Sequence, residues 1–214
     1  MPRIIIGISG MPASRKSLFA QKLTDLGYEH VILSSILRRR MKDEDKHNLS
    51  QAYWRESIAI RREAGNDILA KIAWEDLEKS SVERAVIDGI RCLPELIFLQ
   101  KSADVFYLVA IQASMSARHK RLMSWPNGYY AGKSERIAEL EARELKLGAG
   151  NVIALCDEII FVPDIAADSL DKYFVEKASE VNQTVNALLA NASMEVKLQR
   201  YAYFALLWQK IEAD

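Results

Sequence analysis

Short apolar runs alternate with amphipathic stretches along this chain, and their order predicts an architecture before any motif is considered. The run from Arg3 to Ser9 is β-branched and almost continuously apolar, the pattern of a strand buried on both faces. A Gly/Pro/Ser loop follows. A helical pattern then begins at Ser17, with Leu18, Phe19 and Leu23 as core positions and Gly27 as its stop. Val31 to Leu33 reads as a second strand, and Ser34 or Ser35 caps a helix carrying Leu37, Arg38 and Met41. Lys42 to Asn48 is polar and turn-like. Ser50 to Lys79 is helical with an interruption near Gly65. Arg84 to Asp88 is a third strand ending in an acid, Pro94 opens a helix to Gln100, and Val105 to Ile111 is a fourth strand. Helices over Ser116–Ser124 and Glu135–Leu147 flank a loop at Trp125–Lys133, and Glu158 to Val162 is a fifth strand.

Strands alternating with helices predict an α/β fold, a parallel sheet covered on both faces. From Ser169 onward the pattern is helical only. The division that follows is a domain over 1–165 and a C-terminal helical extension over 166–214. In the extension Met194, Leu198, Tyr201, Ala205 and Trp208 recur every three or four residues, broadened by Leu207 and Ile211. Two readings stand for that stripe: packing on its own domain, or a homodimer or partner-protein surface.

Half of the residues are hydrophobic, enough for a sizeable core. The 29 basic and 29 acidic residues cancel, so bulk charge gives no reason to expect general nucleic-acid or membrane binding. No run approaches the length of a membrane span, and Ile4 to Ile6 is too short for a signal sequence. Cys92 and Cys156 are far apart, which argues against a disulfide framework, and the three histidines are scattered. A cytoplasmic location is the resulting expectation.

Chemistry enters at Gly10-Met11-Pro12-Ala13-Ser14-Arg15-Lys16-Ser17, between the first strand and the first helix. The phosphate-loop pattern is G-x-x-x-x-G-K-[ST]. Gly10, Lys16 and Ser17 match it, whereas Arg15 stands at the second glycine. Such a loop wraps phosphates in backbone N–H groups at a helix N-terminus, where the dipole favours anions. Lys16 would neutralise the terminal phosphates and the Ser17 hydroxyl would ligate Mg²⁺. ATP is thus expected on Gly10, Ala13, Ser14, Arg15, Lys16 and Ser17. Arg15 either crowds the triphosphate or adds a charge to it, and the sequence leaves both open.

Together with this loop, Ile32-Leu33-Ser34-Ser35-Ile36-Leu37-Arg38 and Val86-Ile87-Asp88-Gly89-Ile90-Arg91 resemble adenylate-kinase-related proteins, especially the archaeal-type dephospho-CoA-kinase-like group. The stretch from Ala142 to Leu155 is similar to that group too, and the resemblance covers residues 3–163. It implies a P-loop NTPase three-layer fold of nucleoside monophosphate kinase type, with acceptor-binding helices over 34–80 and a lid over 118–147. It also implies ATP and Mg²⁺ as cofactors and nucleotides as substrates. Carried over, Ser34, Arg38, Arg61, Gly89 and Arg91 would bind the acceptor. Asp88 would order Mg²⁺ with Ser17, Arg118 and Arg121 would face ATP, and Lys16, Arg91 and Arg143 would stabilise the transferring charge. The loop between the lid helices departs from the family. It carries Trp125, Tyr129 and Tyr130 with Lys133 as its one cation, where relatives place arginines and acids. Two function classes follow: a phosphotransferase acting on a nucleotide-like acceptor, or a kinase-like nucleotide-binding protein with little or no turnover that serves as an interaction module.

Overall fold

This computed structural model describes residues 3–40, 49–125, 129–191, 202–203 and 206–211. Five parallel strands, β1 (Ile4–Ser9), β2 (Glu29–Ile32), β3 (Arg84–Asp88), β4 (Val105–Gln112) and β5 (Glu158–Phe161), form one sheet in the order β2-β3-β1-β4-β5. The nine labelled helices are α1 (Lys16–Thr24), α2 (Leu33–Arg40), α3 (Leu49–Ala64), α4 (Ile68–Ser80), α5 (Leu93–Ser102), α6 (Met115–Met123), α7 (Ser134–Leu147), α8 (Ala149–Ala154) and α9 (Ala167–Ala190). The α/β expectation holds.

The strand period of two sorts the core into two layers. Ile4, Ile6 and Ile8 of β1, with Val86 and Val109, join Phe19 and Leu23 of α1 and Leu170, Phe174, Val181 and Val185 of α9. Ile5, Ile87 and Leu108 turn the other way, against residues of α2 to α5 and Val152 of α8. Gly7 lies on this second face. A Cβ there would sit 2.7 Å from Ile90 Cδ1 and 2.8 Å from Phe106 Cζ, so a larger residue would force those side chains to move. Leu207 and Trp208 also pack on the second face, whereas Leu206 and Ile211 are exposed. Met194, Leu198, Tyr201 and Ala205 of the C-terminal stripe lie outside the described residues, as does the turn at Lys42–Asn48.

Most element boundaries differ from the sequence reading by a residue or two, and three differences are informative. Leu33 opens α2 instead of ending β2, so Ser34 is a helical residue rather than a cap, and the Ser35 hydroxyl donates to Ile32 O at 2.7 Å. Gly27, at φ 92°, closes a turn beyond α1, which ends at Thr24. The sequence reading has no counterpart of α8, a six-residue helix after the Gly148 turn. Among the described residues no helix is long and apolar enough to cross a membrane.

Candidate active site

β1, β3 and β4 run parallel and in register, so Ile8 sits opposite both Asp88 and Val109. Their C-terminal ends therefore open on one edge, where ligands of such sheets gather. The phosphate loop leaves β1 at Gly10, whose φ is 146°. A Cβ on Gly10 would lie 2.3 Å from Ile111 O, so a glycine is obligatory there. Ala13 (φ 59°) and Arg15 (φ 74°) are both left-handed, and Arg15 is the N-cap residue of α1. Arg15 thus adopts the conformation for which the pattern reserves glycine, with its side chain exposed.

Lys16 Nζ donates to Gly10 O at 2.8 Å and Met11 O at 3.0 Å. The residue as a whole is half-buried, with its ammonium turned back onto these two loop carbonyls. Desolvation lowers its pKa to about 8, partly offset by Asp88 and reinforced by Arg91. Ser17 Oγ donates to Asp88 Oδ2 at 2.8 Å, and His30 Nε2 lies 3.6 Å from the same oxygen. Burial works against the Asp88 carboxylate, but the His30 ring, the Lys16 charge and the Ser17 hydroxyl outweigh it and hold the pKa below the ordinary value. Ser14 Oγ is buried with no hydrogen-bond partner. An orphaned hydroxyl inside a glycine-cradled loop, beside a lysine and a carboxylate–serine pair, fits a triphosphate carrying Mg²⁺.

The flanking arginines fall into two groups. Arg121 Nη1 donates to Ala13 O at 2.9 Å. Its pKa is lowered by desolvation and by the charge of Arg15. Arg118, nearly buried, pairs with Glu141 of α7 and acts electrostatically on Lys16. These two therefore sit at the loop. Arg38, Arg61, Arg91 and Arg143, with Ser34, line a cavity of about 680 Å³ between α2, α3 and the α6–α7 region. Arg91 joins the two groups: it lines the cavity and its charge reaches Lys16. Its Nε donates to Glu144 at 2.7 Å and its Nη1 to Gly89 O at 2.9 Å. Glu144 and Glu95 hold its pKa above the ordinary arginine value against burial. Arg61 Nη2 donates to the fully buried Glu95 at 2.6 Å, and Glu95 also accepts from the Arg91 N–H at 2.9 Å.

Several residues here escape the sequence reading. Glu95, Glu141 and Glu144 fix arginines from distant elements, while Tyr53 and Trp54 add aromatic surface to the cavity. Arg136, in the first turn of α7, stacks 4.5 Å above Tyr129, so a cation from the helix reaches the loop that carries Lys133. Pro126, Asn127 and Gly128 lie outside the described residues.

No family model matches the chain. Among solved structures, a shikimate kinase from Bacteroides thetaiotaomicron superposes with a TM-score of 0.54 at 13% identity, covering 84% of this chain and 98% of its own. Shikimate kinase from Acinetobacter baumannii, in complex with shikimate, gives 0.51 at 12%, covering 86% and 94%. These likenesses give the fold, that of P-loop kinases, and do not single out the adenylate-kinase or dephospho-CoA-kinase branch. A UPF0200 protein of Saccharolobus islandicus is 32% identical over 185 residues, 85% of this chain and 93% of the relative. On that likeness the chain belongs to the UPF0200 family.

Proposed function

We propose that this protein transfers the terminal phosphoryl group of ATP to a nucleotide-like acceptor such as a nucleoside monophosphate. The observation that carries the reading is the set Lys16, Ser17 and Asp88 at one sheet edge, next to a cavity lined by four arginines. In this account Gly10 to Ser17 hold the triphosphate, and Ser17 and Asp88 hold Mg²⁺, which supplies neutralising charge on the phosphates. Arg61, Arg91 and Arg143 orient the acceptor, with Ser34 and Arg38 at the same wall. The acceptor oxygen attacks the terminal phosphorus as the bond to the ADP oxygen breaks. A phosphate acceptor is already anionic and needs no general base. Lys16 and Arg91 stabilise charge spread over the moving group, and Glu95 and Glu144 fix Arg91 in advance. The helices α2 to α4 then serve as acceptor helices and α6 to α7 as the lid.

The left-handed Arg15 favours a second reading, a nucleotide-binding module of this fold with little turnover. One assay separates them. The protein is incubated with ATP, Mg²⁺ and a panel of nucleoside monophosphates and dephospho-CoA, and ADP is measured against an acceptor-free control. The kinase reading expects acceptor-dependent ADP. Nucleotide binding without ADP from any acceptor would favour the module.

A further inference from the structure

The cavity beside the phosphate loop is lined by aromatic rings as well as by guanidinium groups. Tyr53 and Trp54 come from α3, and Trp125, Tyr129 and Tyr130 from the segment between α6 and α7. The rings are set in place before any ligand arrives. Tyr129 and Tyr130 meet edge-to-face at 4.8 Å and 86°. Arg136 covers the Tyr129 ring at 4.5 Å and donates to its carbonyl at 3.0 Å. On the opposite element the Arg143 guanidinium lies 6.0 Å from the centre of the Trp54 ring and pairs with Glu139 at 3.2 Å, so a cation stands at the edge of that aromatic wall. Arg61, 6% exposed, also lines the cavity, and its buried Nε has no partner. Glu95 already balances the Arg61 charge, but the orphaned Nε–H still lacks an acceptor, which a ligand oxygen in the cavity can supply.

Resting on the acceptor reading above, we infer that this site selects its substrate by stacking: a planar heterocycle lies against Trp54 and Tyr130 while its phosphate meets Arg61 and Arg143. Lid charge would bind any phosphate ester alike, whereas aromatic walls reward a π face and apolar area. The class selected is therefore a monophosphate ester bearing an aromatic ring system, purine ahead of pyrimidine. A sugar phosphate offers no π face and is rejected. The cavity of about 680 Å³ accommodates a mononucleotide, within the usual range for small-molecule sites of about 300–1,000 Å³.

The test titrates tryptophan fluorescence with AMP, CMP and ribose 5-phosphate, with the phosphate loop first saturated by a nonhydrolysable MgATP analogue. AMP is expected to quench emission and to bind at least about tenfold more tightly than ribose 5-phosphate, with CMP between them. Trp54→Ala and Tyr130→Ala should each weaken AMP roughly tenfold and leave ribose 5-phosphate unchanged, while Trp54→Phe keeps most of the affinity. Tyr130 is a half-buried loop residue, so its variant still tests the claim if Trp54→Ala fails to fold. Equal affinity for AMP and ribose 5-phosphate, no AMP binding, or variants that weaken both ligands equally would overturn the inference. Failure of the MgATP analogue to bind would instead remove the phosphoryl-donor reading, and the comparison of AMP with ribose 5-phosphate would still decide the stacking.

Discussion

Arg15 keeps a φ of 74° at the mouth of the phosphate loop, and Arg121 lies close enough for the two charges to oppose each other. On the phosphotransferase reading a bound triphosphate would relieve that opposition and Arg15 would contact it, and Arg15→Gly should separate two effects. Relief of the left-handed strain should raise stability by up to about 1 kcal/mol. Loss of a charge-assisted hydrogen bond should weaken MgATP by about 1.5–3 kcal/mol, or more than tenfold. Paired urea melts and MgATP titrations at one ionic strength check this, and tighter binding by the glycine variant would mean that Arg15 obstructs the loop. Lys16 gives a pH signature. Its pKa in the empty protein is lowered by burial to about 8, and a bound triphosphate raises it, so binding takes up a proton above that pH. MgATP affinity should be level below pH 8 and fall by about tenfold per unit above it. The empty protein carries the opposite slope from this group. The penalty for a buried ammonium is full below pH 8 and fades as pH rises toward the ordinary lysine value of 10.5. A titration series from pH 6.5 to about 9.5 reads the binding slope, and a flat profile would exclude Lys16 from phosphate contact.

Among the helices, α9 shows how much a single element contributes. It opens the C-terminal helical extension of the sequence reading, and its Leu170, Phe174, Ala178, Val181 and Val185 are buried against α1 and the sheet. Phe174 meets Phe19 edge-to-face at 5.7 Å. Phe174→Ala should cost about 3–5 kcal/mol in a chemical melt, with one transition rather than two. A cost below about 1 kcal/mol would show that α9 stabilises the sheet little. The strands were legible because each is a short apolar run bounded by turn residues, and β3 falls on Arg84–Asp88 as read. α8 was not, because six residues containing Gly150 hold too few turns to display a helical period. The β2–α2 boundary was blurred for a related reason: Val31-Ile32-Leu33 is one apolar run, although β2 ends at Ile32 and Leu33 is buried in the α2–α5 layer as the first residue of α2.

Across the whole molecule, the local half of the candidate site could be read from the sequence and the long-range half could not. Gly10, Lys16 and Ser17 are within eight residues of one another, and their spacing together with their place between a predicted strand and helix pointed to a phosphate loop. The carboxylates that fix the arginines are another matter. Glu95 lies 34 residues from Arg61, and Glu144 lies 53 from Arg91, so only the fold brings them together. The aromatic cavity likewise joins α3, between β2 and β3, to the segment between α6 and α7, between β4 and β5. Trp125, Tyr129 and Tyr130 stood out in the sequence, but Tyr53 and Trp54 did not, and only the fold brings the two sets together. All of these parts serve one claim, that the loop holds a nucleoside triphosphate through Lys16. The most direct measurement compares thermal or chemical stability of the wild type and Lys16→Ala with and without MgATP. A ligand bound only by the folded state stabilises it by about 2.7 kcal/mol at a hundredfold excess over Kd. The wild type should gain about that much, and Lys16→Ala should gain nothing at the same MgATP concentration. An equal gain in both proteins, or none in the wild type, would contradict the account.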